Sequence, residues 1–309
     1  MTGTTESHTV DGAARLRRID RYLAELQQFG SRARVQKMIA AGMVQVDGAT
    51  VSPDTIVRPG QVITVSGVFA EAAPSVAEPE EIPLTILFED ESILVVDKPA
   101  GLVVHPAAGN QSGTLVAAVL HHWQGPRPGL DPLRPGLVHR LDKDTSGVIV
   151  IAKDAGALAD LAAQFKARSV AKQYLAFVWG RPANTAGVID APLGRHPVHR
   201  KRMAIRDDGR PARTRYEVTA GGAGMSLLRV WPETGRTHQI RVHLVSLGTP
   251  IVGDAVYGGA RRRPAPAGLL RQALHAARLT LRHPATGVTM TFESPLPGDL
   301  QLLERELHA

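Results

Sequence analysis

Residues 139–147 read HRLDKDTSG and run without a break into residues 148–152, VIVIA. Every position of the second segment is apolar, so a strand there is greasy on both faces and belongs inside a covered sheet. The first segment crowds five ionisable side chains (His139, Arg140, Asp142, Lys143 and Asp144) against the start of that strand. A polar loop abutting a buried strand is where a rigid element positions reactive groups. Two readings of its carboxylates stand side by side. Either Asp142 or Asp144 closes the turn through side-chain hydrogen bonds, or one of them faces a cleft and does chemistry.

Three further segments build outward from this one. Ile93–Val96 (ILVV) is a second apolar run of strand length and ends in Asp97-Lys98-Pro99-Ala100-Gly101. Residues 170–179 (VAKQYLAFVW) alternate, placing Leu175, Phe177 and Trp179 on a core face and Lys172 and Tyr174 on the other. A tyrosine there either borders a cleft or packs with its hydroxyl bonded. Residues 235–244 (GRTHQIRVHL) read as a helix start with Thr237 as N-cap, Ile240, Leu244 and Leu247 as buried stripe, and Gly248 as stop. Arg241 lies beside that stripe and, if buried, requires a carboxylate partner. His238 and His243 are five apart, off any shared helical face, and no His-Glu-x-x-His occurs, so no metal is expected.

The chain of 309 residues carries 36 Lys+Arg against 29 Asp+Glu, a formal +7 that suggests a polyanionic partner. The charge is unevenly spread: +2 over residues 1–66, −8 over 67–97 and +13 over 98–309. The acidic Gly67–Ile82 (GVFAEAAPSVAEPEEI) has no apolar period and reads as a solvated linker. Absence of cysteine excludes disulfides, thiolate metal sites and thiol nucleophiles. Aromatics at 4% are too few for a surface built mainly on base stacking. The polar N-terminus is no signal peptide and no apolar run is long enough to span a bilayer, so a soluble cytoplasmic protein is expected.

In the N-terminal part, Leu16, Ile19, Leu23 and Leu26 form one helical stripe. Ser31 caps a second helix that buries Val35, Met38 and Ile39 and stops at Gly42. Val44 and Val46 lead into an Asp47-Gly48 turn, and a last strand covers Val62–Val65. Seven basic residues, from Arg15 to Lys37, lie in the helix pair. This order of elements, with AAGMVQVDGATVSPDTIVRPGQVITV, resembles the S4 RNA-binding module. The resemblance implies that the module binds structured RNA, with Arg32, Arg34 and Lys37 toward phosphates.

HRLDKDTSG, KQY (Lys172–Tyr174), GRTHQIRVHL and the strand ILVVDKPAGLVVHP together resemble the RluA family of pseudouridine synthases, over about residues 84–298. The resemblance implies an α+β fold. A disordered tail (1–14) precedes an S4-like helix–hairpin domain (15–66), an acidic linker (67–82) and a catalytic domain (83–309) with a mixed, largely antiparallel central sheet and flanking helices. It also implies no cofactor. Asp142 would be the essential carboxylate, Arg241 its partner, and Tyr174 a contact to the uracil that takes part in proton transfer. Arg140 would replace the extruded base in the RNA helix and Leu244 would pack against it, with Lys98 and His139 also at the substrate site. Within the family the resemblance is greatest to the D type among synthases of the large ribosomal subunit. That type implies large-subunit (23S) ribosomal RNA as partner, with a helix 69 stem-loop as target. No membrane and no obligate protein partner are implied.

Arg195–Arg215 carries eight basic residues, among them Arg195, Arg200, Lys201 and Arg202, against Asp207 and Asp208. A solvated charge run is the ordinary outcome for such a stretch; beside an RNA-directed site it reads as a hairpin that grips phosphates. Two other functions compete: an RNA-binding protein without catalysis, and a hydrolase that uses Asp142 against a glycosidic bond.

Overall fold

The computed structural model describes residues 5–11, 16–29, 32–67, 77–106, 112–125, 127, 129–131, 134–199, 202–258 and 266–308. Packing divides the chain into two units, Met1–Pro74 and Ser75–Ala309. No helix among the described residues is long and apolar enough to cross a membrane.

In the smaller unit, β1 (Thr5–Thr9) and β2 (Arg17–Arg18) precede helices α1 (Ile19–Glu25) and α2 (Arg32–Ala40). The strands β3 (Val44–Val46), β4 (Ala49–Thr50), β5 (Ile56–Val57) and β6 (Val62–Ser66) follow. Asp47 and Gly48 both take positive φ, the geometry of a tight hairpin turn. Val35, Met38 and Ile39 join Ile19 and Leu23 in the core, and Gly42 ends the second helix at φ +72°. Ser31 lies outside the described residues.

Two expectations are corrected here. Residues 5–9 are not a disordered tail: they pair antiparallel with β6 in register, and Val10 is buried behind them. TESHT has no apolar face to announce a strand; backbone bonds to an open sheet edge hold it instead. Leu16 is exposed and precedes the first helix, because Arg17 and Arg18 are drawn into a two-residue ladder with β5.

The larger unit holds β7 (Thr85–Glu89), β8 (Ile93–Lys98), α3 (Leu115–His122), β9 (Ser146–Ala152), α4 (Ala155–Ala167) and β10 (Ala171–Trp179). After these come β11 (Ala186–Asp190), β12 (Leu193–Arg195), β13 (Met203–Ile205), β14 (Arg213–Gly222) and β15 (Met225–Pro232). α5 (Gln239–Ser246), β16 (Leu274–Arg282), β17 (Thr289–Glu293) and α6 (Gly298–His308) complete it. Nine strands form one sheet in the order β11-β14-β15-β10-β16-β9-β8-β7, with β17 also on β16. All pairs are antiparallel except β9 with β16.

β9 is buried along its whole length, as its apolar run requires. Val148, Val150 and Ala152 pack toward α4, while Ile149 and Ile151 pack toward α3, so both faces are covered. β10 is buried on both faces in its second half, where Ala176 and Val178 are as inaccessible as Phe177. The acidic segment is also shorter as a linker than expected. Ala77 is buried against Val116, Ala117 and Leu120, and the Glu80 carboxylate accepts from the Gly113 N–H at 2.9 Å. Residues 77–82 therefore strap onto α3; residues 68–76 lie outside the described residues.

Three histidines are built into this unit as neutral groups. Nε2 of His139 accepts from the Val150 N–H at 3.0 Å. His243 bonds Thr214 Oγ1 at 2.8 Å and the Ala191 carbonyl at 3.0 Å; His275 bonds Ser146 Oγ at 3.0 Å and the Ser294 carbonyl at 3.1 Å. Burial pushes the pKa of all three down, that of His139 to about 3 with help from the Lys172 charge. Below the ordinary histidine value near 6.5 the unfolded chain binds protons that the folded chain refuses, so stability present at neutral pH is lost on acidification. The unfolding free energy of the larger unit, read from urea titrations, is expected to fall from about pH 7 to about pH 5, by up to about 1.4 kcal/mol per pH unit per histidine. His139→Gln, which keeps an acceptor for Val150, is expected to flatten that dependence.

Candidate active site

The motif loop enters β9 through Gly147, at φ +115°, where a Cβ would lie 2.2 Å from the Ala276 carbonyl oxygen. Only glycine lets β9 approach β16 there, and the approach sets the register of the site. Gly147 is paired with Ala276 and Ala276 with Tyr174, so one row across three strands brings the tyrosine beside the loop. A bulge between Gln173 and Tyr174 adjusts the aim of the side chain. Leu141 is buried against Leu115 and Ile149, which turns its neighbours Arg140 and Asp142 outward.

A cleft of about 520 Å3 opens over this row. Asp142, Tyr174, His238 and Arg241 line it, with Arg140, Arg168, Lys172 and Arg236 adding positive charge. Asp142 is 19% exposed, and its Oδ2 accepts from Nη1 of Arg241 at 2.9 Å. The side chain therefore does more than close a turn. Arg241 is 5% exposed and its other edge is bidentate to Asp254: Nε to Oδ2 at 2.7 Å, Nη2 to Oδ1 at 2.9 Å. Burial alone would raise the Asp254 pKa; the two guanidinium bonds and charge, with backbone N–H groups of Val256 and Tyr257, hold it below the usual carboxylate range. Burial and then the Asp142 charge push the Tyr174 pKa up, so its hydroxyl keeps its proton at neutral pH.

The helix carrying Arg241 is anchored by Gln239, buried and bonded at both ends of its amide. Its Oε1 accepts from Thr234 Oγ1 at 2.7 Å and from the Arg236 N–H at 3.0 Å. Its Nε2 donates to the Arg213 carbonyl and Thr214 Oγ1, both at 2.9 Å. Thr237 is not the cap. The helix begins after His238, which takes a left-handed conformation (φ +56°) and turns its Nε2 to 4.0 Å from Oδ2 of Asp142.

Two expected substrate contacts, Leu244 and Lys98, are corrected. Leu244 is fully buried in the core, one turn beyond Ile240, and it is Ile240 that lines the cleft. Lys98 is also fully buried and outside the lining. Its ammonium donates to the carbonyls of Pro99 (2.7 Å), Leu102 (2.9 Å) and Lys143 (3.0 Å), and so ties the 97–101 loop to the motif loop. Burial pushes its pKa down to about 8 against the pull of Asp144. His139 lines the cleft wall, but its Nε2 is taken by Val150 and its ring stacks on Phe165 at 4.7 Å.

The basic stretches are also less free than their composition suggests. The hairpin comprises only β12 and β13; Arg213 and Arg215 belong to the main sheet, the latter stacked over Trp231 at 4.1 Å. Arg206 is paired with Asp208 at 2.7 Å. Arg195 and Arg202 lie on the hairpin, whereas Arg200 and Lys201 are outside the described residues. In the small unit, Arg32 and Arg18 turn to the buried Asp20, at 2.8 Å and 3.2 Å. Burial opposes that charge, but bonds from Gln36, Arg18 and Arg32 bring the Asp20 pKa down to about 2. Arg34 is half-buried and Lys37 exposed on α2.

Sequence reasoning missed Asp254 and Tyr257. The demand of a buried guanidinium for more than one acceptor was the available signal for Asp254. Among the described residues, no group of three or more His, Cys, Asp or Glu side chains is placed to hold a metal ion.

Solved structures share the fold of much of this chain. The human RNA pseudouridylate synthase domain containing 4 superposes with a TM-score of 0.57 at 28% identity, covering 72% of this chain and 93% of that one. The family model for RNA pseudouridylate synthase matches residues 92–246, and that for the S4 domain matches residues 17–63. A ribosomal large subunit pseudouridine synthase D of Nitrosomonas europaea is 47% identical over 304 residues, covering 97% of this chain and 87% of the relative. One of Escherichia coli is 40% identical over 298 residues, covering 93% and 90%. The chain belongs to the RNA pseudouridylate synthase family and carries an S4 domain ahead of its catalytic domain. It is an isomerase that acts on RNA.

Asp254→Asn is expected to keep the acceptor for the Val256 and Tyr257 N–H groups but to strip the bidentate pair from Arg241. Leaving a buried charge half-partnered costs roughly 3–5 kcal/mol, to be read as a lowered urea midpoint together with a fall in turnover.

Proposed function

We propose that the protein converts specific uridines of large-subunit ribosomal RNA to pseudouridine, with Asp142 as the essential carboxylate and no cofactor. The observation that carries the role of Asp142 is its position on the cleft wall, oriented by an arginine that is itself fixed by Asp254. The names of the Nitrosomonas and Escherichia relatives support the ribosomal substrate. The D-type resemblance supports a helix 69 stem-loop as target. A substrate of this kind supports the cytoplasm as location.

The reaction breaks N1–C1′, turns the uracil and joins C5 to C1′; the C5 hydrogen leaves and N1 gains a proton, with no net oxidation. Asp142 acts at the nucleotide, as nucleophile or as electrostatic partner of the sugar. Tyr174, still protonated, lies against the uracil and relays a proton. The target atoms are inaccessible in a stacked helix, so the uridine must be extruded. Arg140, exposed at the cleft mouth, fills the gap it leaves. Arg195, Arg200, Lys201 and Arg202 on the hairpin stretch, with Arg34 and Lys37 of the S4 domain, contact phosphates; Arg32 does so with the part of its guanidinium not turned to Asp20.

Ribosomal RNA tritiated at uridine C5 tests the chemistry. The wild-type protein is expected to release tritium and no uracil, and Asp142→Asn to bind RNA without releasing tritium. Released uracil would identify a hydrolase instead, binding without release by the wild type a non-catalytic RNA-binding protein, and activity in Asp142→Asn would remove that residue from the mechanism. A second expectation concerns Arg195→Ala with Arg202→Ala. Affinity should fall and the slope of log K against log salt should shrink by about 0.7–0.9 per lost phosphate contact, while the rate at saturating RNA is unchanged.

A further inference from the structure

Tyr257 touches three parts of the molecule at once. Its hydroxyl oxygen accepts from the backbone N–H of Met203, the first residue of β13, at 2.7 Å. The same hydroxyl meets Nδ1 of His238 at 2.8 Å, either donating its proton or accepting on its second lone pair. When the phenol donates and Nδ1 accepts, the imidazole carries its proton on Nε2, the atom that faces Oδ2 of Asp142 at 4.0 Å. The face of the ring lies 5.0 Å under the Arg241 guanidinium. Beneath the hairpin, Tyr257 and Met203 also pack on the apolar cluster of Leu193, Ala212 and Val242, the last of these on α5. One tyrosine thus contacts both groups that face Asp142, and the root of the basic hairpin as well.

We propose that Tyr257 and His238 are positioning residues that make the orientation of Asp142 depend on the seating of the β12–β13 hairpin. The inference rests on Asp142 being the essential carboxylate. A hairpin lifted off its seat removes the Met203 N–H from the phenol, frees the phenol to rotate and releases the imidazole from the tautomer that points a donor at Asp142. The hairpin then serves the chemistry as well as RNA affinity, because only a seated hairpin completes the arrangement around the carboxylate.

The test uses the full-length protein and single-turnover tritium release at saturating RNA. Tyr257→Phe keeps the ring over its neighbours and loses only the hydroxyl. Its rate is expected to fall about tenfold, the scale of one lost hydrogen bond, with RNA affinity and melting temperature near wild type. His238→Ala should match it, and His238→Gln, whose amide can accept from Tyr257 and donate toward Asp142, should recover most of the rate. Replacing residues 194–205 by a short Gly-Ser turn should lower the saturated rate similarly, and adding Tyr257→Phe to that background should cost nothing more. A full rate in Tyr257→Phe, no rescue by His238→Gln, or multiplying losses in the hairpin-less background would overturn the proposal. If Tyr257→Phe does not fold, the His238→Ala and His238→Gln pair in the two backgrounds decides it. Activity in Asp142→Asn would instead refute the underlying reading, which separates the two failures.

Discussion

A guanidinium taken out of water is tolerable only when its donors are met, and Arg241 is 5% exposed. Asp254 takes one edge of it in two parallel bonds and Asp142 takes the remaining Nη1. The division of labour follows from exposure. Asp254 is inaccessible and is committed to the arginine and to its own loop, whereas Asp142 is 19% exposed and lines the cleft. Asp254 is in turn held by backbone N–H groups of its own loop, and the helix under Arg241 by the fully bonded Gln239. The carboxylate at the cleft is thus the last member of a chain of satisfied buried polar groups.

The sheet supplies the second constraint. β9 must be apolar on both faces because α3 and α4 cover it, and a strand of that kind cannot itself present a reactive group. The chemistry is displaced to the loop ahead of it, where Leu141 plugs the core and sends Arg140 and Asp142 outward. Gly147 allows β9 to meet β16, and the meeting brings Tyr174 into the same row. Lys98 then ties the loop to the strand pair through three carbonyls, a use of a lysine that composition cannot tell from an RNA contact.

Charge illustrates the same limit. The basic surplus pointed correctly to a nucleic acid, but its distribution over individual side chains is set by neighbours. Arg32 and Arg18 turn to a buried Asp20, Arg206 to Asp208 and Arg215 to a tryptophan face. A run of eight basic residues is therefore not one phosphate-gripping surface. Part of it stands on the hairpin and part of it is built into the central sheet.

The larger outline is legible in the chain before it folds: the buried strand at 148–152, the reactive loop before it, the Asp47-Gly48 hairpin, and the need of Arg241 for a carboxylate. Each of these is written in local pattern, through apolar period, turn chemistry or the cost of burying a charge. Tertiary structure alone decided that Arg241 has two carboxylates, that Leu244 belongs to the core, that residues 5–9 close a sheet edge, and that Tyr257 joins a hairpin to the site. These depend on contacts between residues far apart in the chain, such as Asp142 with Arg241 and Tyr257 with Met203, and no local period encodes which distant partner a polar group will meet.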